Sequence, residues 1–550
     1  MSEPEDSGNK VHEIAEDYFA YLGKHLPHQC ASDEFYFLPR SQHSLPYLKQ
    51  LDDLTPEKIQ DHIHHIERLL GKLPGETGED LEGDIDCGLL RMSMENFLRE
   101  FRDIKVWRSD PTLYVKIPLI ATAQAMSEQV APDLYSETLG ALFSQIPPFL
   151  KNAAKNLEAP SGLSVSVTVD MIHDAIRFYK QDIPIFIEMK GGSEESLSSK
   201  IQEVLLAWTE YERALHQSPS GVAFPIGKEG FGEMLLHSLF YAKSPKEVLE
   251  IALHAYHGTL DKIHALVKSI DNRTDWATLQ SERVSLVSSP DQAVALYRQE
   301  VEKLRVFFSA QDIVSYPPGE EVDVLETPPY LRSLRATASY RAPLTGRTGE
   351  RGTFFITPGE EDMELISGHC PYLCAHETYP GHHILDHIRI HHPNPLRRQI
   401  ESPLFYEGWA CYAEQLLDEM GYITDPGQQL IQLERQLWRC LRAILDVNLQ
   451  SGTMTLDQGQ GEIENLGFSS KRAQRQIRRF ALTPGYQSCY FLGTYEIMVL
   501  RDKYAPRTGL KDFHDILLGG GEIPFPFVEK RLDTILNGAK RSGPDDLFVV

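Results

Sequence analysis

The sequence predicts a mainly α-helical protein with one small β-sheet, an α+β chain, on three observations. From Val11 to about Ile270, apolar residues recur at the three- and four-residue spacing that lines one face of a helix. Between about Tyr316 and Asp362, prolines, glycines and β-branched or aromatic residues cluster as they do in short strands and turns. Helical spacing then returns and continues to the end.

Taken in order, HEIAEDYFAYLGKHL, LTPEKIQDHIHHIERLLGKL, SLSSKIQEVLLAWTEYERAL and SPKEVLEIALHAYHGTLDKIHALVKSI read as amphipathic helices. The last carries a start signal: Ser244 at the N-cap, Pro245 at the first helical position and Glu247 at the third, a capping box of the S-x-x-E kind. Its His254, His257 and His264, like His62, His64 and His65 earlier, alternate with apolar residues and read as solvated or core-edge side chains without chemistry. EVDVLE and GTFFIT are the expected strands, and Thr345–Gly352 is an expected loop holding Arg347 and Arg351. The chain is therefore expected to divide into a helical region over 1–300 and a mixed region with the small sheet over 301–550, or to form one integrated body.

Composition excludes several classes. With 54 Lys and Arg against 79 Asp and Glu, the net charge is −25, which argues against nucleic-acid or anionic-membrane partners. At 550 residues and 41% apolar content the chain can bury a large core. No run approaches a membrane span, and MSEPEDSGNK is acidic where a signal peptide would be basic, so a cytoplasmic protein is expected. Seven cysteines without a CxxC pair read as reduced thiols in the core.

One segment stands apart: Cys374-Ala375-His376-Glu377-Thr378-Tyr379-Pro380-Gly381-His382-His383 nearly spells a zinc-protease helix. In H-E-x-x-H the two histidines share a helix face, bind zinc, and the glutamate takes a proton from water. Here the second histidine comes six or seven residues after the first. Six residues of regular helix rise about 9 Å and turn about 600°, too far apart for two ligands of one ion. Pro380 and Gly381 supply a remedy, because proline breaks the helix and glycine tolerates unusual backbone angles. A bulge at Tyr379–Gly381 is expected to bring His382 to the second ligand position and to point His383 elsewhere.

A hydrolytic zinc site takes three protein ligands and keeps one position open. Leu404-Phe405-Tyr406-Glu407-Gly408-Trp409-Ala410 follows as a second helix with Glu407 in its first turns, reached through the HHPNPLRRQIESP turn. Glu407 is the expected third ligand.

His376-Glu377-Thr378-Tyr379-Pro380-Gly381-His382-His383 with Glu407-Gly408-Trp409-Ala410 resembles the H-E-x-x-P-G-H-H and E-G-W-A signatures of domain of unknown function family 885. That family is grouped with zinc metallopeptidases whose third ligand is a glutamate. The resemblance extends from about Thr327 to Arg501 and includes Pro484-Gly485-Tyr486-Gln487-Ser488-Cys489-Tyr490. It implies a gluzincin-like metallopeptidase with a deep cleft between helical halves, acting on short peptides. Metal-ligand roles carry to His376, His382 and Glu407, the general-base role to Glu377, and the oxyanion-donor role to Tyr490, with Tyr379, Tyr406 or Tyr495 as substitutes. Where many members have a histidine after the R-x-x-R helix, this chain has Gln450.

The expected function is a zinc-dependent hydrolase that cleaves amide bonds of short peptides, in the manner of a carboxypeptidase. A clamp for a terminal carboxylate would be an arginine, with Arg341, Arg351 and Arg501 as candidates, and GTFFIT could pair with an extended peptide. The alternatives are a zinc amidohydrolase acting on a nonpeptide or conjugated amino acid amide, and a metal-binding or partner-binding protein without activity. Oligomeric state has no signature in the sequence.

Overall fold

A computed structural model describes residues 6–75, 80–126, 135–190, 195–221, 224–270, 287, 289–328, 338–345, 350–357 and 363–539. The expectation of a mainly helical chain with a small sheet is met. Two compact units are present: Met1–Thr77 with Asp86–Ile226 and Pro328–Arg335, and Gly78–Ile85 with Gly227–Thr327 and Ala336–Val550.

The first unit is built on helices such as Pro56–Leu70, Tyr135–Asn156 and Glu195–Gln217, around fully buried Trp107, Tyr114, Tyr179 and Trp208. Large rings bury much apolar area, but their polar tips need partners. Trp107 Nε1 donates to Phe101 O at 2.9 Å and Tyr114 OH to Trp107 O at 2.6 Å. His62 is fully buried, deeper than the solvated or core-edge place expected, with Nδ1 2.9 Å from the Tyr21 hydroxyl.

In the second unit the expected capping box is present: Glu247 N donates to Ser244 Oγ at 3.3 Å, and Ser244 N donates to Glu247 Oε2 at 2.8 Å. Helix Pro245–Ile270 exposes His254, His257 and His264 and packs Ile263 and Val267 with Leu430 and Leu437 of helix Pro426–Gln450. Each such side chain contributes about 1.5–3 kcal/mol when fully buried.

The sheet contains β1 (Val322–Glu326), β2 (Ala338–Arg341) and β3 (Gly352–Ile356) in the order β1-β3-β2. β3 runs parallel to β1 and antiparallel to β2, and all five of its residues are buried. The continuous GTFFI run is what a strand covered on both faces requires. Both expected strands therefore form, but strand addition at GTFFIT is corrected, because neighbours already occupy both edges of β3. Arg347 lies outside the described residues. All seven cysteines are buried and free, and no helix among the described residues is long and apolar enough to cross a membrane.

Candidate metal centre

Helix Met363–Glu377 stops at the motif, and helix His382–Ile390 starts after it. Pro380 cannot donate the helical hydrogen bond, and its ring disfavours helical angles at Tyr379. The expected bulge is thus a complete break. Gly381 N reaches back to Ala375 O at 3.0 Å, and a Cβ on Gly381 would stand 2.0 Å from His376 O, so only glycine permits this return. Trp409 Nε1 holds the far side of the break through Pro380 O at 2.8 Å. The chain reversal brings the rings of His376 and His382 to a centroid distance of 4.7 Å.

The third donor arrives on helix Pro403–Glu419, whose start is set by the Ser402 cap and Pro403. Beside Glu407, Gly408 lies against the backbone of Gly493 in helix Tyr486–Thr508, where an added Cβ would be 2.5 Å from Gly493 Cα. This close crossing delivers Tyr486, whose hydroxyl donates to Glu407 Oε1 at 2.8 Å. The other oxygen, Oε2, is buried with no hydrogen-bond partner among the described residues. It lies instead 3.5 Å from His376 Nε2 and 3.7 Å from His382 Nε2. Tetrahedral ligands at about 2.0–2.1 Å from one ion stand about 3.3 Å from each other, so the three donors are spaced to hold one.

Charge around the group is arranged in two layers. Burial opposes ionisation of Glu407, but the two imidazoles outweigh it and hold the carboxyl well below its ordinary range. Burial likewise opposes protonation of His376, and Cys411, Glu407 and Glu414 outweigh it, raising its pKa. Behind His376, Nδ1 lies 2.8 Å from Glu414 Oε1. Arg435 donates twice to Glu414, at 2.6 and 2.7 Å, and Arg439 adds another bond. Those guanidinium groups overcome burial and keep Glu414 ionised. His376, Cys411 and Glu414 form a second possible donor set, but the two arginines already occupy the carboxylate and repel a cation. His376, His382 and Glu407 are the better candidate for holding a metal ion.

Glu377 is 7% exposed, and its carboxylate makes no hydrogen bond or ion pair among the described residues. His383 turns away, with Nδ1 3.1 Å from the Tyr340 hydroxyl and Nε2 3.3 Å from Glu320 Oε2. Tyr490 stands beside Tyr486, ring centroids 5.9 Å apart, and burial together with the Glu407 charge pushes its phenol pKa up. The substitute phenols Tyr379 and Tyr406 are engaged: Tyr379 donates to Glu320, and Tyr406 donates to Asp386 at 3.0 Å while stacking on His382. Tyr495 packs near Phe491.

The three candidate arginines meet other partners. Arg351 is paired with Glu321 and Asp323 at 2.8 and 2.9 Å, and Arg501 with Glu419 at 2.6 Å, at helix positions several turns from Tyr486 and Glu407. Arg341 lies on β2 beside Thr353 Oγ1 at 3.3 Å and over the Phe355 ring. Gln450 is fully buried and donates to the carbonyls of Phe480 and Ala481, so it serves packing between helices. Sequence reasoning missed Tyr486 and Glu414 as partners of the ligands. Their signal was helical spacing, four residues before Tyr490 and seven after Glu407.

Two solved structures share the fold. One, from Shewanella oneidensis and described as "a putative lipoprotein of unknown function", is 18% identical, with a TM-score of 0.74 over 94% of this chain and 99% of the other. The second, "the putative lipoprotein from Colwellia psychrerythraea", is 17% identical, with a TM-score of 0.78 over 97% and 100%. No protein of curated function matches. The expectation of a cytoplasmic protein is corrected by these similar chains, both described as lipoproteins, and buried free thiols do not restrict a protein to the cytosol. A family model described as "Bacterial protein of unknown function (DUF885)" matches residues 39–532, and the chain belongs to that family.

Proposed function

We propose that the protein is a zinc-dependent, gluzincin-like metallopeptidase that hydrolyses short peptides. One observation carries the reading: the buried Glu407 Oε2 faces the Nε2 atoms of His376 and His382 and has no hydrogen-bond partner among the described residues, nor has the Glu377 carboxylate, next in sequence to His376. His376, His382 and Glu407 would hold zinc, which is the choice their nitrogen and oxygen donors favour. When bound, zinc supplies a Lewis acid for the scissile carbonyl and lowers the pKa of water.

The remaining roles belong to the chain. Glu377 accepts a proton from the attacking water and passes it to the departing amine. Tyr490 donates a hydrogen bond to the oxygen that gains charge, a role suited to a phenol kept protonated by burial and the nearby Glu407. Tyr486 and Glu414 hold Glu407 and His376 in orientation.

The test is metal analysis of purified protein combined with digestion of a peptide library read by mass spectrometry. About one zinc per chain and cleaved short peptides are expected. Glu377→Gln should keep the metal while losing on the order of 10²–10⁴-fold in turnover. Near-wild-type turnover in that variant would overturn the mechanism.

A further inference from the structure

Helix Pro426–Gln450 carries three arginines that face this site or its support, and they differ in what they touch. Arg435 and Arg439 are committed to Glu414. Arg442 has no carboxylate at ion-pair distance among the described residues. Its Nε and Nη2 donate to the neutral Gln487 Oε1 at 3.1 and 2.7 Å, and its guanidinium carbon sits 3.6 Å over the Tyr490 ring. Nη1 makes no hydrogen bond with a described residue, and the side chain is only half-buried. The next acid along the helix, Asp446, is committed to Gly485 N, Ser488 N and Ser488 Oγ.

A guanidinium oriented by an amide and an aromatic face, with one edge left open, matches a planar carboxylate that it can bind through charge-assisted hydrogen bonds. The chain's net charge of −25 repels carboxylates in general, so recognising one requires a dedicated cation such as this. Arg442 is thereby placed next to the phenol assigned to the reaction, with its guanidinium carbon 3.6 Å over the Tyr490 ring. We infer that Arg442, oriented by Gln487, binds the free C-terminal carboxylate of the peptide substrate and makes the reaction a carboxypeptidase cleavage. This inference rests on the peptidase reading above.

The experiment compares an N-acetyl dipeptide with its C-terminal amide. Binding is measured by calorimetry on the full-length, zinc-loaded Glu377→Gln protein, alone and combined with Arg442→Gln or Arg442→Lys. Turnover is measured with the same arginine changes in the otherwise wild-type chain, and zinc content and melting temperature confirm the fold. The free acid should bind about 10–100-fold more tightly than the amide, and Arg442→Gln should remove that preference. Arg442→Lys keeps the charge and stem but not the fork, and should restore part of it. Arg442→Gln should also raise KM for the acid by more than for the amide; an equal fall in kcat for both peptides with no difference in KM would reduce Arg442 to a support for Tyr490 and overturn the inference. If Arg442→Gln does not fold, the lysine variant decides, and a preference equal to wild type overturns the assignment. Equal binding of acid and amide to the parent protein removes the arginine's role and leaves the peptidase reading standing. Failure of both peptides to bind or be cleaved removes that reading and this inference with it.

Discussion

Tyr486 donates to the Glu407 oxygen opposite the one that faces the imidazoles, so it sets which lone pairs that carboxylate presents. Tyr486→Phe keeps the ring and removes only the donor. Metal affinity should then fall about 10–100-fold, measured by competition with a chelator, and an unchanged affinity would show that the phenol does not orient Glu407. At this scale the histidines and glutamates of the two signatures were legible because their residue types and order carry chemistry. Tyr486, Glu414 and Arg442 were not, because their relation to the group depends on where helices cross. An arginine read from sequence is a charge; only packing shows that Arg351 and Arg501 are already neutralised while Arg442 is not.

Two features of the elements hold the group together: the break at Tyr379–Gly381 and the glycine crossing between helices Pro403–Glu419 and Tyr486–Thr508. The break was legible from Pro380 and Gly381, but its extent was not, since a bulge and a full stop begin with the same two residues. The crossing left little trace, because Gly408 and Gly493 are single glycines inside helices and nothing local says that they meet. Gly381→Ala would force a Cβ against His376 O and should destabilise by more than the about 1–3 kcal/mol of ordinary overpacking. The expected result is a lower melting temperature together with less bound zinc per chain. A variant with wild-type melting and metal content would mean that the backbone relaxes without moving the ligands.

Across the whole molecule, two buried acids respond to pH in the same sense. Burial pushes Asp446 up to about 7 in the second unit, and Asp52, which accepts from His28 N and Gln29 N at 2.8 and 3.1 Å, up to about 7 in the first. An unfolded aspartate titrates near 3.9, so the folded chain binds these protons more tightly. Their contribution to stability is full below about pH 4 and is lost as pH rises through about 7. Glu407 and Glu414 act in the opposite sense, since their depressed pKa values add stability above the unfolded range that is lost in acid. Relative to the wild-type chain, Asp446→Asn should therefore lose less stability between about pH 4 and about pH 7, read as the pH dependence of the difference between the two melting temperatures. Parallel profiles for the two proteins would contradict this assignment.

The pair of arginines behind Glu414 has a consequence for proton traffic. An ionised carboxylate 2.8 Å from His376 Nδ1 repels a lone pair on that nitrogen, so the ring keeps its Nδ1 proton and presents Nε2 as the only basic atom. A histidine fixed in one tautomer cannot pass a proton from one ring nitrogen to the other. His376 is thereby withdrawn from any relay, and a proton moving at this centre is left to the Glu377 carboxylate, which has no competing partner among the described residues.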